Sequence, residues 1–225
     1  MRAGRAKQQV VFIHGGETWK PHETFKAALR KSEVDRDDFM PDSKERWHKR
    51  LQADFGRGYE VFRPDMPCAE IARYELWKIW FEKMLRFIDD GPVFIGHSLG
   101  GIFLAKYFAE NPDRKGVCGL FLVAPPYADA RSKAGMADFI LPRDMSRLAE
   151  LGPRIRLYFS KNDPIVSVAD SARYAEKLPD AVVTIFEDKG HFIIRRFPEL
   201  IRDVTTALES LCARTARSAG GTRPA

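Results

Sequence analysis

The stretch Val93-Phe-Ile-Gly-His-Ser-Leu-Gly-Gly101 constrains this chain more than any other part of it. An apolar run ends in Gly-x-Ser-x-Gly with Ser98 at its centre, and the apolar Ile102-Phe-Leu-Ala-Lys-Tyr-Phe-Ala-Glu110 follows at once as a helix. Strand, tight turn and helix form the setting in which this pattern has a mechanism. The turn forces Ser98 into a strained backbone conformation at the top of a sheet. Gly96 and Gly100 are required because strand and helix converge there, and a Cβ at either place would clash. The hydroxyl is then exposed at a helix N-terminus, where N–H groups and the dipole favour negative charge.

A serine hydroxyl is a poor nucleophile unless a base takes its proton and a third group orients that base. His191 is the candidate base, in Glu187-Asp-Lys-Gly-His-Phe192, just past the apolar strand Ala181-Val-Val-Thr-Ile-Phe186. Asp163 is the candidate acid, in Asn162-Asp-Pro-Ile-Val166, just past the strand Ile155-Arg-Leu-Tyr-Phe159. In a parallel sheet the three strands point the same way, so their loops meet at the carboxyl edge.

The chain resembles the α/β-hydrolase family over roughly residues 9–212. The resemblance is carried by His14-Gly-Gly16 after the first strand, Gly96-His-Ser-Leu-Gly100, Asn162-Asp-Pro-Ile-Val166 and Gly190-His-Phe192. Its small size resembles the compact, retinoblastoma-binding protein 9-like members. The resemblance implies Ser98 as nucleophile, His191 as base, Asp163 as acid, and an oxyanion hole from the backbone N–H groups of Leu99 and Gly16. It implies no metal and no organic cofactor.

Other residues compete for these roles. Asp129 is a rival acid because it follows the strand after the elbow, whereas Asp188 is too near His191 in sequence to reach round the ring and reads as a turn residue. His97 and His14 lie beside the site and read as packing and hydrogen-bonding residues. His22 and His48 sit in polar stretches and read as solvated.

The bulk properties fit a single globular domain. The chain has 225 residues, 44% of them hydrophobic, and no apolar run of the ~20 residues that a membrane span needs. The start has no signal-peptide core, and three widely spaced cysteines form no metal pattern, so a reducing cytoplasm is expected. The net charge of +6 suggests nucleic acid, but its distribution argues otherwise. Residues 1–8 and residues 213–225 each hold three basic and no acidic residues, which leaves 9–212 formally neutral. The excess belongs to a flexible basic N-terminus and a disordered basic tail, not to a face of the fold.

Strands are expected near 9–14, 58–63, 92–96, 117–123, 154–160 and 181–186, and helices near 44–55, 71–89, 99–110, 168–177 and 198–212. The alternation predicts a three-layer α/β architecture, a mostly parallel six-stranded sheet with helices on both faces. The aromatic-rich helix Tyr74–Leu85 reads as core. Residues 124–153 form a short lid-like insertion with a helix near 143–151. Tyr127, Phe139 and Met145 from this insertion, with Phe192, Glu17 and Trp19, are candidate pocket residues.

The expected activity is carboxylesterase-like: cleavage of an ester, thioester or amide of a small acid through an acyl-enzyme on Ser98. The substrate is then a small molecule, with neither nucleic acid nor membrane as partner. Acyl transfer or perhydrolase chemistry on the same triad is the first rival reading, and a non-catalytic protein-binding member of the fold is the second.

Overall fold

The structure is a computed structural model that describes residues 7–18, 20–33, 45–111, 116–131 and 135–218. Six strands form one sheet: β1 (Gln8–Ile13), β2 (Tyr59–Phe62), β3 (Val93–His97), β4 (Gly119–Val123), β5 (Ile155–Ser160) and β6 (Val182–Phe186). The spatial order is β2-β1-β3-β4-β5-β6, and every neighbouring pair is parallel. Each strand lies within two residues of its expected place.

Burial explains why the strand pattern was readable. Val10 to Ile13 in β1 and Leu120 to Val123 in β4 are at most 2% exposed, because helices cover both faces of the sheet. The edge strands β2 and β6 are mixed in burial, as strands with one neighbour are. Side chains alternate between the layers. In β5, Tyr158 packs on Phe197 and bonds Asp203 of α7 (Pro198–Ser218), while Phe159 packs on Tyr174 of α6 (Asp170–Lys177). In β3, Phe94 meets Phe81 of α3 (Tyr74–Met84) and Phe108 of α4 (Leu99–Glu110).

Several boundaries differ from the sequence expectation. The segment expected as one helix over 44–55 is a 3-10 turn, Trp47–Arg50, leading into the short α2 (Leu51–Phe55). α1 (His22–Lys31), with Glu23 in its first turn and Arg30 and Lys31 in its last, is a further helix in the charged stretch before 44–55. α3 stops at Met84 and is half core: Tyr74, Trp77 and Phe81 are buried, whereas Leu76, Ile79 and Trp80 are 44–47% exposed. α7 continues to Ser218, so residues 213–218 belong to the helix rather than to the expected tail. Ala and Arg there are good helix formers, and the first breaker is Gly220. Among the described residues no helix is long and apolar enough to cross a membrane.

The insertion 124–153 is short, and residues 135–148 of it are firmly held. Among its described residues the one α-helix is α5 (Ser146–Ala149), shorter than expected. Thr18 Oγ1 donates to the Gly135 carbonyl at 2.6 Å, Lys106 Nζ to the Ile140 carbonyl at 2.8 Å, and the Tyr74 N–H to Asp138 at 3.0 Å. Phe139, Leu141, Met145 and Leu148 are at most 2% exposed.

The sheet order reverses direction between β1 and β3, and α4 starts there. A Cβ on Gly96 would lie 2.4 Å from the Gly100 carbonyl oxygen, and one on Gly100 would lie 2.3 Å from that of Ile13. Both approaches are backbone against backbone and cannot relax by turning a side chain. Gly100→Ala is therefore expected to cost about 3 kcal/mol or more, read as a lower urea midpoint at unchanged m-value. Gly58→Ala, with nothing within 4 Å of the new Cβ, is expected to leave the midpoint where it is.

Candidate active site

The carboxyl ends of β1, β3, β5 and β6 deliver the residues picked out in the sequence. The register pairs Ile13 with Gly96, His97 with Val123 and Ser160 with Phe186, so the loops after these strands leave from one edge. The edge also gathers backbone strain. Cys68, Ser98, Ala124 and Phe192, none of them glycine, have φ of 50°, 53°, 45° and 54° and follow β2, β3, β4 and β6. Each such residue costs about 1–3 kcal/mol and persists only where its surroundings impose it. At Ser98 the imposing contact is its own N–H, which donates to the Val123 carbonyl at 2.8 Å while α4 begins at the next residue.

Ser98, His191 and Asp163 are brought together. The Ser98 hydroxyl donates to His191 Nε2 at 2.9 Å, and His191 Nδ1–H donates to Asp163 Oδ2 at 2.8 Å. The tautomer follows from this network, since Asp163 can only accept. The Asp163 side chain is 1% exposed and the His191 side chain 7%. Burial of a carboxylate demands donors, and Asp163 Oδ1 also accepts the N–H groups of Ile165 at 2.8 Å and Val166 at 2.9 Å. Asp129, the rival acid, pairs instead with Arg131 and Arg173, at 3.1 and 3.7 Å.

The main chain beside Ser98 presents backbone N–H groups. Leu99 is the first residue of α4, so its N–H has no acceptor within the helix. On the facing turn the Met66 N–H donates to His14 Nε2 at 2.8 Å, which leaves the ring proton on Nδ1. That proton goes to the Gly15 carbonyl at 2.6 Å. A trans peptide points its N–H opposite to its carbonyl, so His14 turns the Gly16 N–H away from itself. The turn is clamped from the other side by Glu17 N–H to the Ala69 carbonyl and Ala72 N–H to the Glu17 carbonyl, both 2.7 Å. A Cβ on Gly16 would lie 2.5 Å from the Ala69 oxygen, which explains the glycine.

The pocket residues fare unevenly. Glu17 and Gly16 line a cavity of about 620 Å³ with Phe12, His48, Arg63 and Met66, and Glu17 pairs with Lys20 at 3.1 Å. Tyr127 borders a different cavity, of about 530 Å³, between the insertion and α6, among Asp129, Arg143 and Lys177. Phe139, Met145 and Phe192 are corrected to core positions: Phe139 packs on Tyr74 and Trp77, and Phe192 on Phe186 and Phe197. Their apolar character reflects the hydrophobic core rather than a pocket wall. Trp19 lies outside the described residues.

Sequence reasoning missed the residues that support this site. Trp47, 1% exposed, gave no signal in its charged surroundings. His48 is not solvated as expected. Its ring stacks on Phe12 at 5.2 Å, and burial, aided by the cations Arg63, Arg46 and Lys49, pushes its pKa down to about 4.

Comparison with known proteins agrees with this architecture. The ydeN gene product of B. subtilis is similar in structure, with a TM-score of 0.66 at 20% identity, covering 91% of this chain and 100% of that one. Paleococcus ferrophilus monoacylglycerol lipase gives 0.53 at 16% identity, covering 89% and 93%. Fold and topology together define an α/β hydrolase. A family model described as serine hydrolase matches residues 37–196. Serine hydrolase RBBP9 of Rattus norvegicus is 31% identical over 153 residues, which are 67% of this chain and 79% of the rat protein. The chain belongs to the serine hydrolase family.

Burial of neutral His48 has a consequence for acid stability. The unfolded chain takes up a proton at this residue near pH 6.5, but the folded chain only near pH 4. Its contribution is complete above pH 6.5 and is lost as the pH falls towards 4. His48→Gln is expected to flatten the fall of unfolding free energy over that window, measured by urea titration at each pH.

Proposed function

We propose that the protein hydrolyses a carboxylic ester, or a thioester or amide, of a small acid through an acyl-enzyme on Ser98. One observation carries this reading: the unbroken, correctly directed hydrogen-bond chain from the Ser98 hydroxyl through His191 to buried Asp163. His191 Nε2 takes the serine proton as Oγ attacks the carbonyl carbon. Asp163 holds the tautomer and stabilises the imidazolium that forms. The Leu99 and Gly16 N–H groups receive the oxyanion, a contribution of about 3–4 kcal/mol for a single donor where one has been removed. His191 then protonates the leaving group, and water repeats the sequence on the acyl-enzyme.

The preference for a small acid draws its support from the insertion. Its apolar side chains Phe139, Leu141, Met145 and Leu148 are used up in the core, so they offer no apolar trough to a long acyl chain.

The test is labelling by a fluorophosphonate, read by intact mass, with hydrolysis of p-nitrophenyl esters of increasing chain length. Wild type is expected to take one adduct, and Ser98→Ala and His191→Ala none. Asp163→Asn is expected to lower kcat by about 10⁴-fold, since it offers the ring an amide in place of a carboxylate. Turnover is expected to peak at short acyl chains. Folded wild type with neither adduct nor turnover overturns the reading in favour of a non-catalytic member of the family.

A further inference from the structure

We propose that His97, the residue before the serine, is a positioning residue that fixes the main chain of His191 through a hydrogen bond to its carbonyl and so sets the direction of the base. The proposal rests on the reading of Ser98, His191 and Asp163 as a working triad.

The loop that carries His191 leaves β6, an edge strand with a neighbour on one side only. It is held instead by side chains from elsewhere. The Lys189 N–H donates to Ser160 Oγ at 2.9 Å, and the Gly190 N–H to Asn162 Oδ1 at 2.7 Å. Ser160 and Asn162 are linked by a further bond of 2.8 Å. These partners belong to the turn that carries Asp163, so they fix base and acid relative to each other. They do not relate either to the nucleophile.

That relation comes from His97. Its Nε2 lies 2.9 Å from the His191 carbonyl oxygen. His97 is bonded directly to Ser98, and the acceptor belongs to the base itself. One side-chain hydrogen bond thus ties the residue before the nucleophile to the main chain of the base; nucleophile and base are 93 residues apart in sequence and 2.9 Å apart at their reacting atoms. The next carbonyl, of Phe192, accepts from Trp47 Nε1 at 2.9 Å. The two donors oppose the strain of Phe192, whose φ of 54° favours relaxation. Rotation of the 191–192 backbone towards an ordinary conformation would carry the imidazole off the line to Ser98. A misplacement of about 1 Å can cost roughly 100-fold in rate.

The chemistry of the position requires a neutral donor. A carbonyl oxygen only accepts, so His97 Nε2 carries the ring proton. The ring sits 6.1 Å from that of Trp47 and 5.0 Å from that of His191. Burial pushes the His97 pKa down to about 3, which keeps the ring neutral wherever His191 acts as a base. A cation at this point would oppose the imidazolium that His191 becomes during reaction.

The test compares His97→Leu, which has no donor, His97→Asn, whose amide is too short to reach the carbonyl, and His97→Gln, whose amide nitrogen reaches about as far as Nε2. Three quantities are read: thermal midpoint, the rate of fluorophosphonate labelling at Ser98, and the low-field proton resonance of His191 Nδ1–H bonded to Asp163. Leu and Asn variants that are folded are expected to label roughly 10- to 100-fold more slowly and to show a broadened resonance. His97→Gln is expected to restore both. Should His97→Leu not fold, His97→Asn carries the same comparison. Wild-type labelling and a sharp resonance in the Asn variant would falsify the proposal, as would a Gln variant as impaired as Asn. If wild type takes no label, the hydrolase reading falls, and the resonance alone decides whether His97 positions His191.

Discussion

The site depends on how closely the first turn of α4 approaches the carboxyl ends of β1 and β3. At Gly96 and Gly100 the approach is backbone to backbone, with no room for a Cβ. A strand and a helix packed this tightly leave a single residue in which to reverse the chain. That residue is Ser98, and its strained positive-φ conformation follows from the packing. The same contact brings the Leu99 N–H beside the turn after β1, where His14 holds the Gly15–Gly16 peptide and the Ala69 carbonyl accepts the next N–H, that of Glu17. Nucleophile and both proposed oxyanion donors are thus set by one packing constraint at the point where the sheet order reverses.

Around that contact the structure relies on neutral hydrogen-bonding groups. His14 and His97, with Trp47, Ser160 and Asn162, each bond a backbone atom of a loop at the sheet edge. Neutral donors suit enclosed positions because they carry a smaller desolvation cost than charges. The one deeply buried carboxylate of the triad, Asp163, is balanced by two backbone N–H groups and an imidazole. Surface pairs such as Lys161–Glu187, with side chains 58% and 76% exposed, contribute little by comparison. Loss of a loop anchor should therefore be felt more in geometry than loss of any surface ion pair.

The parts legible in the sequence were those that obey local rules. Four apolar strands covered on both faces, a glycine-flanked serine between strand and helix, and a histidine and an aspartate just past strand ends all leave short, recognisable patterns. Less legible were features fixed by distant contacts. Trp47 reads as one apolar residue in a charged stretch, yet it packs on Phe12, His97 and Phe197. Phe139 and Met145 read as pocket wall because apolar residues in an insertion look alike whether they face substrate or core. His48 read as solvated because its neighbours in sequence are charged, although its ring lies against β1. In each case the deciding neighbour lies far away along the chain.

The way the insertion is held bears on how substrate reaches Ser98. A hinged lid must open at small cost. Lifting residues 135–148 would break the bonds of Gly135, Asp138 and Ile140 to the body of the protein. It would also expose Phe139, Leu141, Met145 and Leu148, each at most 2% exposed. At about 1.5–3 kcal/mol per large apolar side chain, that exposure alone costs ~6–12 kcal/mol, comparable with the whole stability of a typical domain. Opening on that scale is unfolding rather than gating. A route to Ser98 that depends on lifting this part of the insertion is therefore closed to substrate.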